Sequence, residues 1–465
     1  MHVATDRGLI ATLFLTSSLL SSAALQTAHA APPPPPGRGI LRPPPISPIS
    51  TCPAPTGAGT VHGSVTSAQT WTLAASPHIL PNDISISAPV MIEPCAVVRI
   101  AAGRTITINS NGALIATGAV GAPVTIEALV AGSPWSSIRN FGGVLSLTHA
   151  VVRWGGAPLS FNPAYMGALF MQTNGQSGTL HVDDVEVSLS ASQGVYIDGA
   201  VGFDATSQNL RVTGSAGYPV HVFANVIGTI PTGLYTGGNG HNAIAIAGNG
   251  GPVSSSQTMH NRGVPYHVGS GMDGGRLDIN SQVNGQVAVL TIEPGVQVEF
   301  PPGGTLNVDP STGGSYAMPG AAHGALIAVG TASQPIVFSS DKGNGGAPGD
   351  WLGIGFGGVV DPRTNLQHVS VVFAGGATVT GSNSCPYPGR QGQNYAAVRI
   401  FGPTQSEFIT DSAVMYSARD AIDRGWRADP QPDFLASNSF TAIAACKQST
   451  PRTFAGVCPT NPPCP

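Results

Sequence analysis

Chemistry on this chain would have to come from 23 acidic residues, 19 basic ones and 12 histidines in 465 residues. Cleaving a glycosidic bond by acid–base catalysis needs two carboxylates converging, one protonated and one not. Asp183-Asp184 is the only adjacent acidic pair near a strand pattern. Neighbours on a strand face opposite sides, so these two converge only if the strand breaks between them. Glu93 and Glu293 recur in matching contexts, each ahead of a turn proline; the recurrence predicts a turn role. Asp198 and Asp423 each follow an isoleucine and read as Asx-turn caps. Proton abstraction beside a uronate carboxylate would need Lys or Arg to neutralise the acid. Only two lysines are present, Lys342 and Lys447, and the arginines are scattered. GGNGHNAIA (237–245) looks like a calcium nonapeptide, but it occurs once and has Asn242 where Asp is expected. The histidines show no paired metal spacing. No catalytic residue, metal site or cofactor is therefore assigned.

One stretch departs from this sparse pattern. ARDAIDRGWRADPQPD (418–433) packs Arg419, Asp420, Asp423, Arg424, Arg427, Asp429 and Asp433 together, in a chain with 9% charged residues. With Tyr416 and Trp426 beside Asp420, Asp423, Arg424 and Arg427, an aromatic platform and charged hydrogen-bonding groups could hold a sugar. The competing reading is a terminal cap with mutually screened ion pairs.

The elements that would position these groups are strands. In LTIEPGVQVEF (290–300), Val296, Val298 and Phe300 alternate with Gln297 and Glu299, the period of a strand with one buried face. Pro294-Gly295 ahead of it is turn chemistry. The pattern recurs as VMIEPCAVVRI (90–100), with Cys95 in place of Gly295. Further pairs keep one order: GALIATG (112–118) with GALIAVG (324–330), APVTI (122–126) with QPIVF (334–338), Pro134-Trp135 with Asp350-Trp351, VVRWGG (151–156) with VVFAGG (371–376), and Tyr196-Ile197-Asp198 with Ala421-Ile422-Asp423. The offset between copies grows in Gly-rich loops, which a stacked-coil array tolerates. Short apolar strands recur every 8–12 residues and few are joined by two-residue hairpin turns, so parallel coils are expected.

The run IEPGVQVEF, GGTLNV, GALIAVGTASQPIVFSS and GDWLGIGF resembles the repeat of secreted bacterial right-handed parallel β-helix proteins of the pectin-lyase-like superfamily. The resemblance covers most of 65–450. It implies an all-β, right-handed parallel β-helix (solenoid) with internal duplication and a preference for polysaccharide. It implies no particular reaction, since the superfamily holds lyases, hydrolases, tailspikes and adhesins.

The expected organisation is a signal peptide (1–30), a Pro-rich linker (31–57), β-helix copy 1 (58–251), copy 2 continuous with it (252–450) and a Cys/Pro-rich tail (451–465). Leu9 to Leu20 is an apolar segment leading to the small-residue site Ala28-His29-Ala30, and it falls short of the ~20 residues a membrane span needs. No later segment is apolar enough to span. Six cysteines in an exported chain suit disulfides: Cys52 with Cys95, and one of three pairings among Cys385, Cys446, Cys458 and Cys464. A net charge of −4 gives no reason to expect nucleic acid. The function expected is an exported surface or secreted scaffold, non-catalytic and holding polysaccharide or a cell-surface glycan; the alternative is a polysaccharide lyase or glycoside hydrolase on the same fold.

Overall fold

Alternating apolar residues and Gly-rich turns give an all-β chain with long parallel sheets. The computed structural model describes residues 50–450 apart from 159–165, 173–174, 176, 249, 270–273, 311–321, 378–395, 403, 426–429 and 431. The expected signal peptide, the expected linker up to residue 49 and the tail from 451 lie outside the described residues, as do Cys385, Cys458, Cys464, Trp426 and Arg427. Four sheets, of 13, 11, 5 and 5 strands, account for the named strands. Their pairings are parallel, each strand bonding to one from a later circuit of the chain.

In the second half the chain visits three sheets in strict rotation: Gln257–Met259, Tyr266–Val268 and Arg276–Ile279, then Ala288–Ile292, Gln297–Phe300 and Thr305–Val308, and onward. The first half uses two sheets: Gln69–Trp71, Pro89–Ile92 and Ala113–Thr117 pair in sequence within the 11-stranded sheet, which also takes Val97–Ile100, while Ile106–Asn109 joins the 13-stranded one. Gln257–Met259, Ala288–Ile292 and Gly324–Val329 pair likewise. The 13-stranded sheet runs through both halves, from Ile84–Ile86 to Ser439–Thr441. It does not serve the same face in each. In the first half it takes Val97–Ile100's neighbour Ile106–Asn109; in the second it takes Gln297–Phe300, whose first-half counterpart lies in the 11-stranded sheet. One continuous surface is thereby made from two different faces of the repeat.

The core is a set of stacked rows. Along the 13-stranded sheet Ile138, Leu169, Val195, Val220, Ile244, Tyr266, Val298, Phe338, Val371 and Val414 follow one another in register, all buried. Each such side chain contributes about 1.5–3 kcal/mol on burial. Trp135 and Trp351 are fully buried and play one role twice: each Nε1 donates to a carbonyl one circuit on, Arg153 O and Val372 O, both at 2.8 Å.

The matched IEP turns also agree in detail. Glu93 N bonds Trp71 O and Glu293 N bonds Met259 O, both at 3.1 Å. Their carboxylates each accept a backbone N–H from the preceding circuit, Leu73 N at 3.3 Å and Asn261 N at 2.7 Å. Gly295 has φ +78, and Cys95 keeps that left-handed conformation at φ +62. Its sulfur is bonded to Cys52. Cys446 is also disulfide-bonded.

Candidate functional site

Period-two alternation sends every second residue of a sheet outward, and parallel register lines those residues up. On the 13-stranded sheet the outward row beside the core row reads Arg139, Phe170, Tyr196, His221, Ala245, His267, Glu299, Ser339. Arg139 Cζ lies 5.5 Å from the Phe170 ring centre, a cation–π contact. Phe170 and Tyr196 centroids are 5.3 Å apart, and Tyr196 meets His221 edge-on at 4.8 Å. Phe170, Tyr196 and His221 are buried although they point away from the core. Beside them Gln172 receives Arg139 Nε at 3.0 Å and donates to Asp198 at 3.2 Å. Burial lowers the Arg139 guanidinium from its ordinary value, and Asp198 opposes that.

The row opens toward solvent at its other end. Tyr218, in the loop before Val220–Phe223, stacks on the exposed His241 ring at 4.3 Å and 16°. It meets His267 edge-on at 5.7 Å. Tyr218 Oη is 3.2 Å from His267 Nδ1, and His267 Nε2 is 2.6 Å from Glu299 Oε2. In the tautomer that donates Nε2–H to the Glu299 carboxylate, Nδ1 accepts the hydrogen bond of the Tyr218 hydroxyl. Hydroxyl, imidazole and carboxylate thus form one relay.

Two more carboxylates share the electrostatics of this end. Partial burial raises Asp341 above the usual carboxylate value; His267 and Lys342 pull it down, while Glu299 and Asp350 push it further up. Asp350 goes the other way. Burial would raise it, but Lys342 at 2.6 Å, the Ala347 N–H and the Ser340 hydroxyl hold it below the ordinary value. His241 is lowered, first by burial and then by His267. A raised acid near an ionised one is the pairing that glycosidic chemistry uses. Three aromatic or imidazole rings beside hydroxyl and carboxylate groups can equally stack on and bond to a sugar ring.

The residues singled out from sequence fall elsewhere. Asp420 and Arg424 end the buried strand Asp420–Arg424, with Asp423 within it. Asp420 Oδ1 accepts from Cys446 N at 3.0 Å, and Asp423 Oδ1 from Ser449 Oγ at 3.2 Å. Arg424 donates from Nε to Ser449 O at 2.9 Å and from Nη1 to Pro432 O at 3.1 Å. These side chains hold the last circuit of backbone. Tyr416 stacks on Phe373 at 5.4 Å, at a separate corner. Trp426 and Arg427 lie outside the described residues.

Two readings are corrected. Asp198 and Asp423 are not Asx caps: each reaches a neighbouring circuit, Gln172 and Ser449 respectively, because both stand on strands. Nor is Ile197 the counterpart of Ile422. Val195 pairs with Leu169 as Ile422 pairs with Val398, and Ile138 and Ile354, three residues past Trp135 and Trp351, bond to those partners. Asp423 therefore stands where Tyr196 does. At Asp184 the strand does bend (φ +51), and its carboxylate lies 3.5 Å from His149 Nδ1.

The relay joins Tyr218, His267 and Glu299 across circuits of unequal length, and no local motif marks it. In VEF (298–300) and in the strand Tyr266–Val268, alternation marks Glu299 and His267 as outward residues, and that is the only sequence signal. No family model matches the chain, and neither a curated protein nor a solved structure does.

Proposed function

We propose that the chain is an exported right-handed parallel β-helix of the pectin-lyase-like kind, acting as a secreted or cell-surface scaffold that holds polysaccharide. The strict rotation of strands among parallel sheets supports the helix, and the near-universal right hand of parallel crossovers supports its sense. The Cys52–Cys95 disulfide fits an oxidising compartment. Among the described residues no helix is long and apolar enough to cross a membrane.

The observation that carries the binding role is the open end of the outward row, where Tyr218 and His241 lie beside His267 and Glu299. It sets ring faces, hydroxyl and carboxylate side by side on a rigid sheet. The stretch 416–424 is less suited, because Asp420, Asp423 and Arg424 are buried against the chain's own backbone. The test is retention on a panel of immobilised polysaccharides. His241→Ala removes an exposed ring and should weaken retention by roughly threefold to tenfold, from the ~0.5–1.5 kcal/mol an aromatic contact contributes. Retention on every glycan unchanged by His241→Ala and by Glu299→Gln would sink the proposal.

A catalytic reading has a specific observation in its favour, the raised Asp341 near the Glu299 carboxylate. On that reading Asp341 is the proton donor and Glu299, through His267, the base. Release of reducing ends or unsaturated uronates, lost in Glu299→Gln while retention persists, would support it. No release from any polymer that binds would end it.

A further inference from the structure

The two halves share a corner at which the chain bends between faces, and they finish it differently. In the first half the strand Val144–Arg153 bends at His149 (φ +44) and Thr179–Ser188 at Asp184 (φ +51), one circuit on. In the second half the same corner separates Asn365–Gln367 from Val369–Val372 at His368 (φ +50). It separates Ile409–Thr410 from Ala413–Met415 at Asp411 (φ +49). His and Asp are among the few non-glycine residues that tolerate this region. The first pair is closed, His149 Nδ1 lying 3.5 Å from Asp184 Oδ2. The second is open. Asp411 Oδ2 is drawn sideways to Gln367 Nε2 at 3.0 Å, and among the described residues the His368 ring has no partner. A cavity of about 370 Å³ lies over them, lined also by Thr331, Ser370, Asn438 and Ser439.

We propose that this groove over His368 and Asp411 binds a neutral sugar, through hydroxyl groups donated to the Asp411 carboxylate and the His368 imidazole. The volume falls within the range of ligand pockets. Its walls are fixed by bonds already made: Ser412 Oγ receives Val369 N at 3.0 Å and donates to Thr410 O at 2.8 Å, and Asn438 Nδ2 donates to Ile409 O at 2.8 Å. What is left to a ligand is acceptor capacity on Asp411 Oδ1 and both nitrogens of the His368 ring. A group that both donates and accepts, as a sugar hydroxyl does, suits that lining. Among the lining residues Asp411 is the only carboxylate and there is no Lys or Arg, so anions are disfavoured. The site is independent of the Tyr218–Glu299 face.

The experiment is calorimetric titration of the full chain with methyl glucoside, methyl galactoside, methyl mannoside, glucosamine and glucuronate. At least one neutral methyl glycoside should bind, with a dissociation constant on the order of 1 mM. Glucuronate should bind at least roughly tenfold more weakly. Asp411→Asn and His368→Asn keep a residue type that accepts the left-handed corner. Asp411→Asn should weaken the glycoside roughly tenfold or more, the loss of one charged hydrogen bond. The titrations are repeated in a His241→Ala/Glu299→Gln background, so that the Tyr218–Glu299 face does not contribute to the signal. Saturation by glucosamine alone would make this a cation site and overturn the proposal. So would the absence of neutral-sugar binding in that background, or binding there that survives Asp411→Asn.

Discussion

Cys95 replaces the glycine of the matched turn, and the substitution separates two energies that usually come mixed. The disulfide to Cys52 spans 43 residues. Loop closure of that length, removed from the unfolded chain, corresponds to roughly 4 kcal/mol at 25 °C. Against it stands the left-handed backbone at φ +62, which costs a residue with a Cβ about 1–2 kcal/mol. Cys52→Ala/Cys95→Ala and Cys52→Ala/Cys95→Gly both lack the bond and differ only at the strained position. The glycine variant should be the more stable by about 1 kcal/mol, after allowing for the extra freedom glycine gains when unfolded. Both should lie below the oxidised parent. Since each circuit bonds only to those on either side, the effect should concentrate near the N-terminal end. The assay is native-state hydrogen exchange of the Val97–Ile100 amides together with the urea midpoint. If the alanine variant matches or exceeds the glycine variant, the strain argument fails, and with it the equivalence of Cys95 and Gly295.

Two other outcomes follow from buried polar contacts. Trp351→Phe should destabilise by about 1–3 kcal/mol beyond the volume lost, because Val372 O loses its 2.8 Å donor inside the core; Trp135→Phe should do the same through Arg153 O, whereas Trp71→Phe frees only the Gln69 side chain, which can turn to water. Equal polar losses at all three, by denaturation, would refute this. At the N-terminal edge His78 Nε2 meets Thr72 O at 2.9 Å, so Nδ1 is left to accept from His62 Nε2 at 2.9 Å. Both rings are lowered, chiefly by burial; His62 is lowered further by His78. A lowered folded-state value means the stabilisation is complete above about pH 6.5 and is lost as pH falls below it. Protection of the Thr60–Val61 amides, the observed rate judged against the intrinsic rate at each pH, should therefore fall between about pH 6.5 and 5, and His78→Gln should flatten that dependence; a parent whose protection does not fall would contradict the assignment.

Inside and outside were legible because alternation is local. Val298 and Phe300 are in the core and Glu299 faces out, as VQVEF reads. The Glu93 and Glu293 turns were legible because the same hydrogen bonds recur with the same residues. The outward row was not. Alternation says which way a side chain points and nothing about which side chain lies beside it one circuit on. Loops of unequal length hide that from any fixed spacing. A shift of two residues preserves the face, which is how Asp423 could be matched to Asp198 when its place is that of Tyr196. The change of face between the halves was hidden for the same reason: it brings His267 and Glu299 into line with Tyr196 without leaving a mark in either copy.

Tyr416 shows how a residue suited to a ligand can be claimed by the fold. Corners between faces force left-handed backbone, and several hold large residues there: Trp154 at φ +57, Leu189 at +57, Phe373 at +63 and Tyr416 at +55. Bulky residues in this region are outliers, each at about 1–2 kcal/mol. Nothing in their chemistry favours the bend, so the surroundings must hold them. Phe373 and Tyr416 occupy one corner on successive circuits, Phe373 N bonding Met415 O at 3.2 Å and Tyr416 N bonding Thr441 O at 2.9 Å. Their rings stack at 5.4 Å, and such a contact contributes about 0.5–1.5 kcal/mol beyond burial. The stack offsets much of the strain of one corner, so the ring that looks like a sugar platform in the sequence is already committed. At His368 and Asp411 the bend holds residue types that accept it, no stack is required, and the side chains are left to face a cavity.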